Sequence, residues 1–456
     1  MPTRLQLAFY GDDFTGSTDV MEALARAGLR TPLFLAPPSP AQLRRFPGLR
    51  AFGIAGTSRS MSPREMSREL PPVFRALRES GAPLVHYKMC STFDSSPTVG
   101  SIGRAIDLGQ EVFHSPLVPL LAGAPVLGRY CVFGNLFARS GLDSEPARLD
   151  RHPTMSRHPS TPMDEADLRA HLSKQTKKHI GLFDVLKLEA FDYRERFTHV
   201  RGEIVLLDVL NDGHLPRLGE LIASRVSKRK QLFCVGSSGI EYALTAHWRA
   251  SGEQPTPPVT PALSAARQLV CVSGSCSPVT ARQIAWAQRN GFAIIALDTA
   301  ALIRPRTARS AMKSALAAAA PQLRAGQTII FHTALGPDDS RLASTRAALK
   351  AARKRSADAL GSMLGRLLLA ALDHAPKARA AVTGGDTSAF VARALGIEAL
   401  EFAAPVAPGS PLCRVHSADA VIHGREIVFK GGQVGHDDFF GTLLHGSTNK
   451  PRNTHQ

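Results

Sequence analysis

The segment Leu7-Ala8-Phe9-Tyr10-Gly11-Asp12-Asp13 carries an apolar run straight into two adjacent carboxylates. Two acids at the end of a strand can orient the hydroxyls of a polyol, hold a metal, or take a proton as a general base. The plainer alternative is that one of them only caps the turn. A helix should follow, capped by Thr15 or Ser17, with Val20, Met21, Leu24 and Ala25 as its apolar face and Gly28 as its stop. A second run, Leu84–Lys88, leads to Lys88, Ser91, Thr92 and Asp94. A cation flanked by hydroxyls suits the carboxylate of a sugar acid, although Lys88 could simply pair with Asp94. A third run ends in Ala55-Gly56-Thr57-Ser58-Arg59, whose guanidinium can grip a carboxylate with two parallel bonds.

The second half of the chain carries a different chemistry. Ser273-Gly274-Ser275-Cys276-Ser277, Gly384-Gly385-Asp386-Thr387-Ser388 and Lys430-Gly431-Gly432-Gln433-Val434-Gly435 each follow an apolar run. Ser277 is the expected N-cap of a helix with Pro278 in its first position. After Gly384, Phe390, Val391, Ala394 and Leu395 mark one face of a helix that stops at Gly396. Small residues let the backbone approach a phosphate, and a helix N-terminus aims free N–H groups at it. One such turn says little; three in one half suggest a nucleotide phosphate site. No GxxxxGK[ST] run and no GxGxxG after a strand is present, which argues against P-loop enzymes and dinucleotide-dependent dehydrogenases. His152 and His158 lie in a proline-stiffened loop, Arg151 to Met163, at a spacing that argues against zinc.

These residues need elements to hold them. Apolar runs at Leu5–Tyr10, Arg50–Ala55, Leu84–Lys88, Val126–Phe133, Ile204–Val209 and Gln231–Val235, then Gln268–Val272, Ala293–Ala296, Thr328–His332, Ala380–Thr383 and Ala420–Phe429, alternate with helical patterns. That grammar predicts an α/β protein of two doubly wound domains, with mainly parallel sheets flanked by helices. In such sheets ligands bind beyond the carboxyl ends of the strands, where every segment above lies. A proline-rich connector over 251–263 separates an expected domain 1–250 from another at 264–446, and 447–456 reads as a flexible tail.

The chain has 456 residues with 44% hydrophobic and 20% charged, a globular composition. Six scattered cysteines without a CxxC pair argue against structural zinc or a disulfide framework and for reduced thiols. The apolar start is broken by Asp12 and Asp13, unlike a signal peptide, and no run reaches the ~18 apolar residues that span a bilayer. A cytoplasmic protein is expected. The net charge of +17 fits anionic small molecules better than nucleic acid, because the basic clusters are short and only 6% of residues are aromatic.

Taken in order, Gly11-Asp12-Asp13-Phe14-Thr15-Gly16, Lys88 with Cys90-Ser91-Thr92-Phe93-Asp94-Ser95, His158-Pro159-Ser160-Thr161-Pro162-Met163, Ser273 to Ser277 and Gly384 to Ser388 resemble the four-carbon acid sugar kinase family over nearly the whole chain. The resemblance implies a substrate domain and a nucleotide domain closing over a cleft, and ATP- and Mg2+-dependent phosphorylation of the terminal hydroxyl of threonate, erythronate or a 3-oxo-tetronate. It implies that Asp12, Asp13, Arg59, Lys88, Ser91, Thr92, Asp94 and His158 hold the acid sugar. It assigns ATP to Ser275, Ser277, Gly384, Gly385, Asp386, Thr387, Gly409, Gly431, Gly432 and Gly435. Asp13 or Asp12 is the expected catalytic group, with Asp438 the rival base because it follows the last glycine turn; no metal ligand is assigned. The expected partners are the sugar acid and ATP, with a homodimer as the assembly entertained and neither nucleic acid nor membrane. The chain departs from the family pattern in its last glycine turn, where Lys-Ser-Gly-x-Phe-Gly is expected, at Asp386, where many relatives carry Glu, and in a longer, more basic stretch from Asn135 to Arg157. The alternatives are a kinase of a longer or different sugar acid and a non-catalytic basic protein that binds a sugar acid or nucleotide.

Overall fold

The computed structural model describes residues 5–140, 144–158, 160–227, 230–253, 260–352 and 356–446. The chain separates into two compact units, Met1–Pro258 and Val259–Gln456. Residues 254–259 of the expected connector and the expected tail at 447–456 lie outside the described residues. No described helix is long and apolar enough to cross a membrane.

The strands of the first unit are β1 (Leu7–Gly11), β2 (Leu33–Phe34), β3 (Ala51–Ala55), β4 (Leu84–Lys88), β5 (Val118–Leu121), β6 (Arg129–Val132), β7 (Asn135–Ala138), β8 (Ala147–Arg148), β9 (Ile180–Phe183), β10 (Ile204–Leu207) and β11 (Leu232–Gly236). Eight of them form an all-parallel sheet in the order β2-β3-β1-β4-β11-β5-β10-β9. β1, β3, β4 and β11 are buried at every position, as strands covered by helices on both faces must be. Gly11 stands level with Ala55 on one side and Lys88 on the other, so the loops that leave β1, β3 and β4 emerge side by side.

One expected strand is corrected. Val126–Phe133 does not enter the main sheet: Pro125–Leu127 is a single 3-10 turn, Gly128 takes a φ of +68°, and only Arg129–Val132 extends. It pairs with β7, and β7 with β8, in a small antiparallel sheet. Phe133 and Gly134 both have positive φ (51° and 80°), the twist a tight hairpin turn requires. Their N–H groups donate to the buried carboxylate of Asp208 at 2.5 and 3.0 Å, which pins the hairpin tip. The strand that does complete the main sheet here is β5.

The second unit contains β12 (Leu269–Ser273), β13 (Ala293–Ala296), β14 (Ile329–His332), β15 (Arg379–Thr383), β16 (Ile397–Ala407), β17 (Ser410–Ser417) and β18 (Glu426–Lys430). β13-β14-β12-β15-β18 run parallel, and β17 then β16 add an antiparallel edge. The run expected from Ala420 becomes a strand only at Glu426, after a turn that closes on Gly424. Leu263, placed in the connector by composition, is 3% exposed and packs with Leu269, Ile284, Val428 and Phe440 in this unit's core.

Candidate functional site

In the first unit, Asp13 rather than Thr15 or Ser17 caps helix Phe14–Arg26. Its Oδ1 accepts from the Gly16 N–H at 2.8 Å, and its Oδ2 accepts from the Thr15 hydroxyl at 2.8 Å. The plain alternative of a capping acid is therefore realised, but the cap does not exhaust the residue. Arg59 reaches Asp13 Oδ2 at 2.9 Å with Nη1 and Asp12 Oδ1 at 2.9 Å with Nη2. One guanidinium thus spans both carboxylates. Arg59 is brought there by backbone geometry: its N–H donates to the Asp12 carbonyl at 3.0 Å, and the preceding buried Ser58 shares a hydrogen bond with the Tyr87 hydroxyl at 2.9 Å.

The two acids differ electrostatically. Burial pushes the Asp12 carboxyl above its ordinary range, only partly offset by Arg59. Burial acts the same way on Asp13, but Arg59, Lys88, the Thr15 hydroxyl and the Gly16 N–H outweigh it and hold that carboxyl below the ordinary range. Asp13 keeps its side chain 21% exposed, against 3% for Asp12. An ionised, reachable carboxylate stands beside a deep one that anchors the arginine.

Lys88 ends β4 buried, with Nζ donating to the Met89 carbonyl at 3.0 Å. Gly16 makes room for it: a Cβ there would lie 2.5 Å from Asp13 Oδ1 and 2.9 Å from Lys88 Nζ. Beyond Lys88 the chain turns through Ser91, and the Thr92 hydroxyl donates to Asp94 Oδ1 at 2.7 Å. The Cys90 thiol, 3.0 Å from Thr92 Oγ1, is pushed up to about 11 by burial and then by Asp94. Asp12, Asp13, Arg59 and Lys88 therefore form one cluster, and the Cys90–Asp94 turn faces the same Arg59 charge.

Two residues of this cluster were not singled out from sequence. Asp19, three residues after Gly16 and so on the same helix face, interacts with Lys88 and Asp13; burial raises its carboxyl despite Lys88. Arg129, which opens β6, faces Cys90 and Asp94, and its Nε is buried without a partner among the described residues. The spacing from Gly16 could have flagged Asp19; Arg129 depends on the hairpin. His158 is not joined to the cluster by the bonds described for it: its Nδ1 accepts from the Thr161 N–H at 3.1 Å and pairs with the Thr161 hydroxyl at 2.9 Å.

In the second unit the glycine turns continue the strand ladder. The Gly274 N–H donates to the Thr383 carbonyl at 2.8 Å, and the Gly384 N–H to the Lys430 carbonyl at 2.9 Å. Gly384 adopts a φ of +125°, and a Cβ there would meet Thr387 Oγ1 at 2.6 Å and the Ser275 nitrogen at 3.3 Å. At Gly432 it would meet Ser275 Oγ at 2.9 Å and Ser277 Cβ at 3.1 Å. Ser275, Ser277, Gly384, Thr387 and Gly432 are thus brought together, with Gly385 and Asp386 in the first turn of helix Gly385–Ala394. Ser277 caps helix Pro278–Arg289, accepting from the Val279 N–H at 3.2 Å, with Pro278 in first position as expected. Gly409 lies at the hairpin tip between β16 and β17 with a φ of +71°. Asp438 precedes helix Phe439–His445, where its carbonyl accepts from the Thr442 N–H.

Known proteins resemble the chain over most of its length. A model of a sugar-binding N-terminal domain matches residues 7–244, and one of a nucleotide-binding C-terminal domain matches 270–440. A 3-oxo-isoapionate kinase of Paraburkholderia graminis is 46% identical over 98% of this chain and 95% of its own length. A 3-oxo-tetronate kinase of Pseudomonas savastanoi pv. phaseolicola is 29% identical, covering 96% of both chains. A solved structure from Salmonella typhimurium LT2 superposes with a TM-score of 0.76 at 24% identity, covering 96% of this chain and 98% of the other. A second, from Haemophilus influenzae, gives 0.68 at 22% identity over 96% and 100%. Both share the fold.

Proposed function

The chain belongs to the four-carbon acid sugar kinase family, and from that membership we propose that it phosphorylates a hydroxyl of a 3-oxo sugar acid of the 3-oxo-isoapionate type at the expense of ATP. The conjunction in one chain of the Arg59–Asp12–Asp13 cluster with three glycine turns gathered at the ends of β12, β15 and β18 carries the reading. The identity of 46% to a 3-oxo-isoapionate kinase, against 29% to a 3-oxo-tetronate kinase, favours the former acceptor.

Phosphoryl transfer asks the protein for positioning and charge more than for covalent participation. Lys88 and Arg129 are the cations available for the sugar acid's carboxylate, while Thr92 and Ser91 offer hydroxyls to the polyol. Asp13 accepts the proton of the acceptor hydroxyl as its oxygen bonds to the γ-phosphorus; the bond from that phosphorus to the bridging oxygen breaks, and ADP leaves. Asp12 acts on this step through Arg59, fixing the guanidinium that fixes Asp13. On the nucleotide side, the donors for phosphate are the N–H groups that the glycine turns leave unbonded, those of Gly274, Gly384 and Val279 being taken up within the protein.

Among the described residues no group of three or more His, Cys, Asp or Glu is arranged to hold a metal ion. The hydroxyl oxygens of Ser275 and Ser277, which lie beside Gly432, would be the protein oxygens for a magnesium ion that arrives on the triphosphate. When bound, the ion would neutralise phosphate charge.

The test is ADP release from ATP and Mg2+ with 3-oxo-isoapionate, the 3-oxo-tetronates, threonate and erythronate as acceptors. Turnover strongest on 3-oxo-isoapionate is expected. A preference for a 3-oxo-tetronate would keep the chemistry and replace the substrate; no turnover on any acceptor would sink the proposal.

A further inference from the structure

The turn that closes the nucleotide unit's last strand is held by side chains in a way that the sequence motif does not suggest. Lys430 is fully buried at the end of β18, and its Nζ donates to the Gly431 carbonyl at 2.9 Å, the Val434 carbonyl at 3.1 Å and Thr280 Oγ1 at 3.3 Å. Thr280 in turn donates its hydroxyl hydrogen bond to the Gly432 carbonyl at 2.9 Å. Gln283, one turn further along the same helix and equally buried, directs Nε2 to the carbonyls of Val434, Gly435 and His436 at 3.0, 3.1 and 2.9 Å. Five of the six carbonyls from Gly431 to His436 are therefore drawn inward, towards one lysine and one helix face.

In a trans peptide the carbonyl and the following N–H point in opposite directions. Drawing in the carbonyls of Gly431, Gly432, Val434, Gly435 and His436 turns the N–H groups of Gly432, Gln433, Gly435, His436 and Asp437 outward. None of these five donates to a protein group among the described residues. Gly432 meanwhile faces Ser275 and Ser277, at the N-terminus of the helix that supplies Thr280 and Gln283. A run of outward N–H groups beside a buried ammonium offers donors to an anion.

We propose that Lys430, Thr280 and Gln283 are positioning residues that cock the Gly431–Asp437 loop so that its N–H groups bind a phosphate of the nucleotide. The inference rests on the nucleotide-binding role proposed above and adds to it the residues that shape the loop. Burial also pulls the Lys430 ammonium down to about 7. A phosphate seated on the loop favours the charged form, so nucleotide binding above neutral pH takes up a proton. The charged and titratable groups on the elements packed around Lys430 are Arg282 and Arg289 on helix Pro278–Arg289, Arg379 on β15, Glu426 on β18, Arg414 and His416 on β17, Arg393 on helix Gly385–Ala394, and His436, Asp437 and Asp438 on the loop. Arg282 pairs with Asp437 at 3.1 Å, Arg379 with Glu426 at 2.6 Å, and Phe439 presents its ring 5.5 Å from Lys430 Nζ.

The experiment is calorimetric titration of ADP into the full-length protein at pH 8, in two buffers of different ionisation enthalpy. It compares wild type, Lys430→Met and Gln283→Leu, with thermal unfolding followed in parallel. Wild type should bind ADP with net proton uptake. Lys430→Met should lose the uptake and bind ADP at least about tenfold more weakly, while Gln283→Leu weakens ADP but keeps the uptake, since the buried charge remains. The KM for the sugar acid at saturating ATP should change in neither. Variants that bind ADP as wild type does, or a Lys430→Met that retains the uptake, overturn the inference alone. A wild-type protein that does not bind ADP overturns the kinase reading with it. Should Lys430→Met not fold, the loss of ADP affinity in Gln283→Leu decides.

Discussion

Arg59 bonds to two carboxylates at once, and this divides the work between Asp12 and Asp13. The deep one is made a poor anion by burial, and the outer one is kept ionised by the arginine, Lys88 and its own helix turn. Asp13→Asn should therefore lower kcat by about 10²–10⁴-fold while ADP still binds. If Asp438→Asn gives that loss and Asp13→Asn does not, Asp438 is the base. The rate with wild type should hold to acidic pH, falling only below the ordinary carboxylate range. A limb above that range would point to Asp12, whose carboxyl is shifted the other way. At this scale much was legible. Asp12, Asp13, Arg59 and Lys88 each stand at the end of an apolar run or within four residues of it, so strand ends and site coincide. Asp19 and Arg129 were not legible, because the first needs a helix face and the second a hairpin to bring it in.

Elements meet at small residues, and helix Phe14–Arg26 meets β4 at Gly16. A methyl group there would collide with Asp13 Oδ1 and crowd Lys88 Nζ. Gly16→Ala has no strained backbone to relieve, so the prediction is specific: the KM for the sugar acid rises at least about tenfold while the ADP dissociation constant is unchanged. Equal KM values in the two proteins would mean that Lys88 and Asp13 tolerate displacement and that their close approach is incidental. The strands themselves were read well where they were long and apolar, as with Leu84–Lys88. They were misread where a proline or a glycine interrupted the pattern. Pro119 takes a donor out of a strand of four residues and hid β5, while Gly128 and Phe133 bent a convincing run into a hairpin. The Thr15 and Ser17 caps were equally reasonable from composition; Asp13 won because its extended φ of −140° aims the carboxylate back at the Gly16 N–H.

Across the whole molecule, charge and burial set how the protein answers to solution conditions. A net charge of +17 should speed the encounter with anionic substrates, an effect that salt weakens. Stability is expected to respond to pH through His332 in the second unit. Burial, and then Arg341, lowers this imidazole from 6.5 to about 4. Between those values the unfolded chain binds a proton that the folded chain refuses, so stability falls as pH drops from 6.5 towards 4, by about 3 kcal/mol at most. Urea unfolding at pH 7 and pH 4.5 should show this loss in wild type and a smaller one in His332→Gln; equal losses would remove His332 as the cause. By itself the sequence determined the α/β class and most strand ends, because apolar runs must be buried and the polar residues after them must then surface at one edge of the sheet. It also marked the glycine turns, where Gly384 and Gly435 take the positive φ that favours glycine and a Cβ at Gly432 would crowd Ser275. Only the tertiary structure decided that one arginine bridges Asp12 and Asp13, that Arg129 faces Cys90 and Asp94, and that Lys430 and Gln283 turn a loop's carbonyls inward. Apart from the bonds of Lys430 to its own loop, those contacts join residues far apart in the chain, and their distances follow from strand register and helix placement rather than from any local pattern.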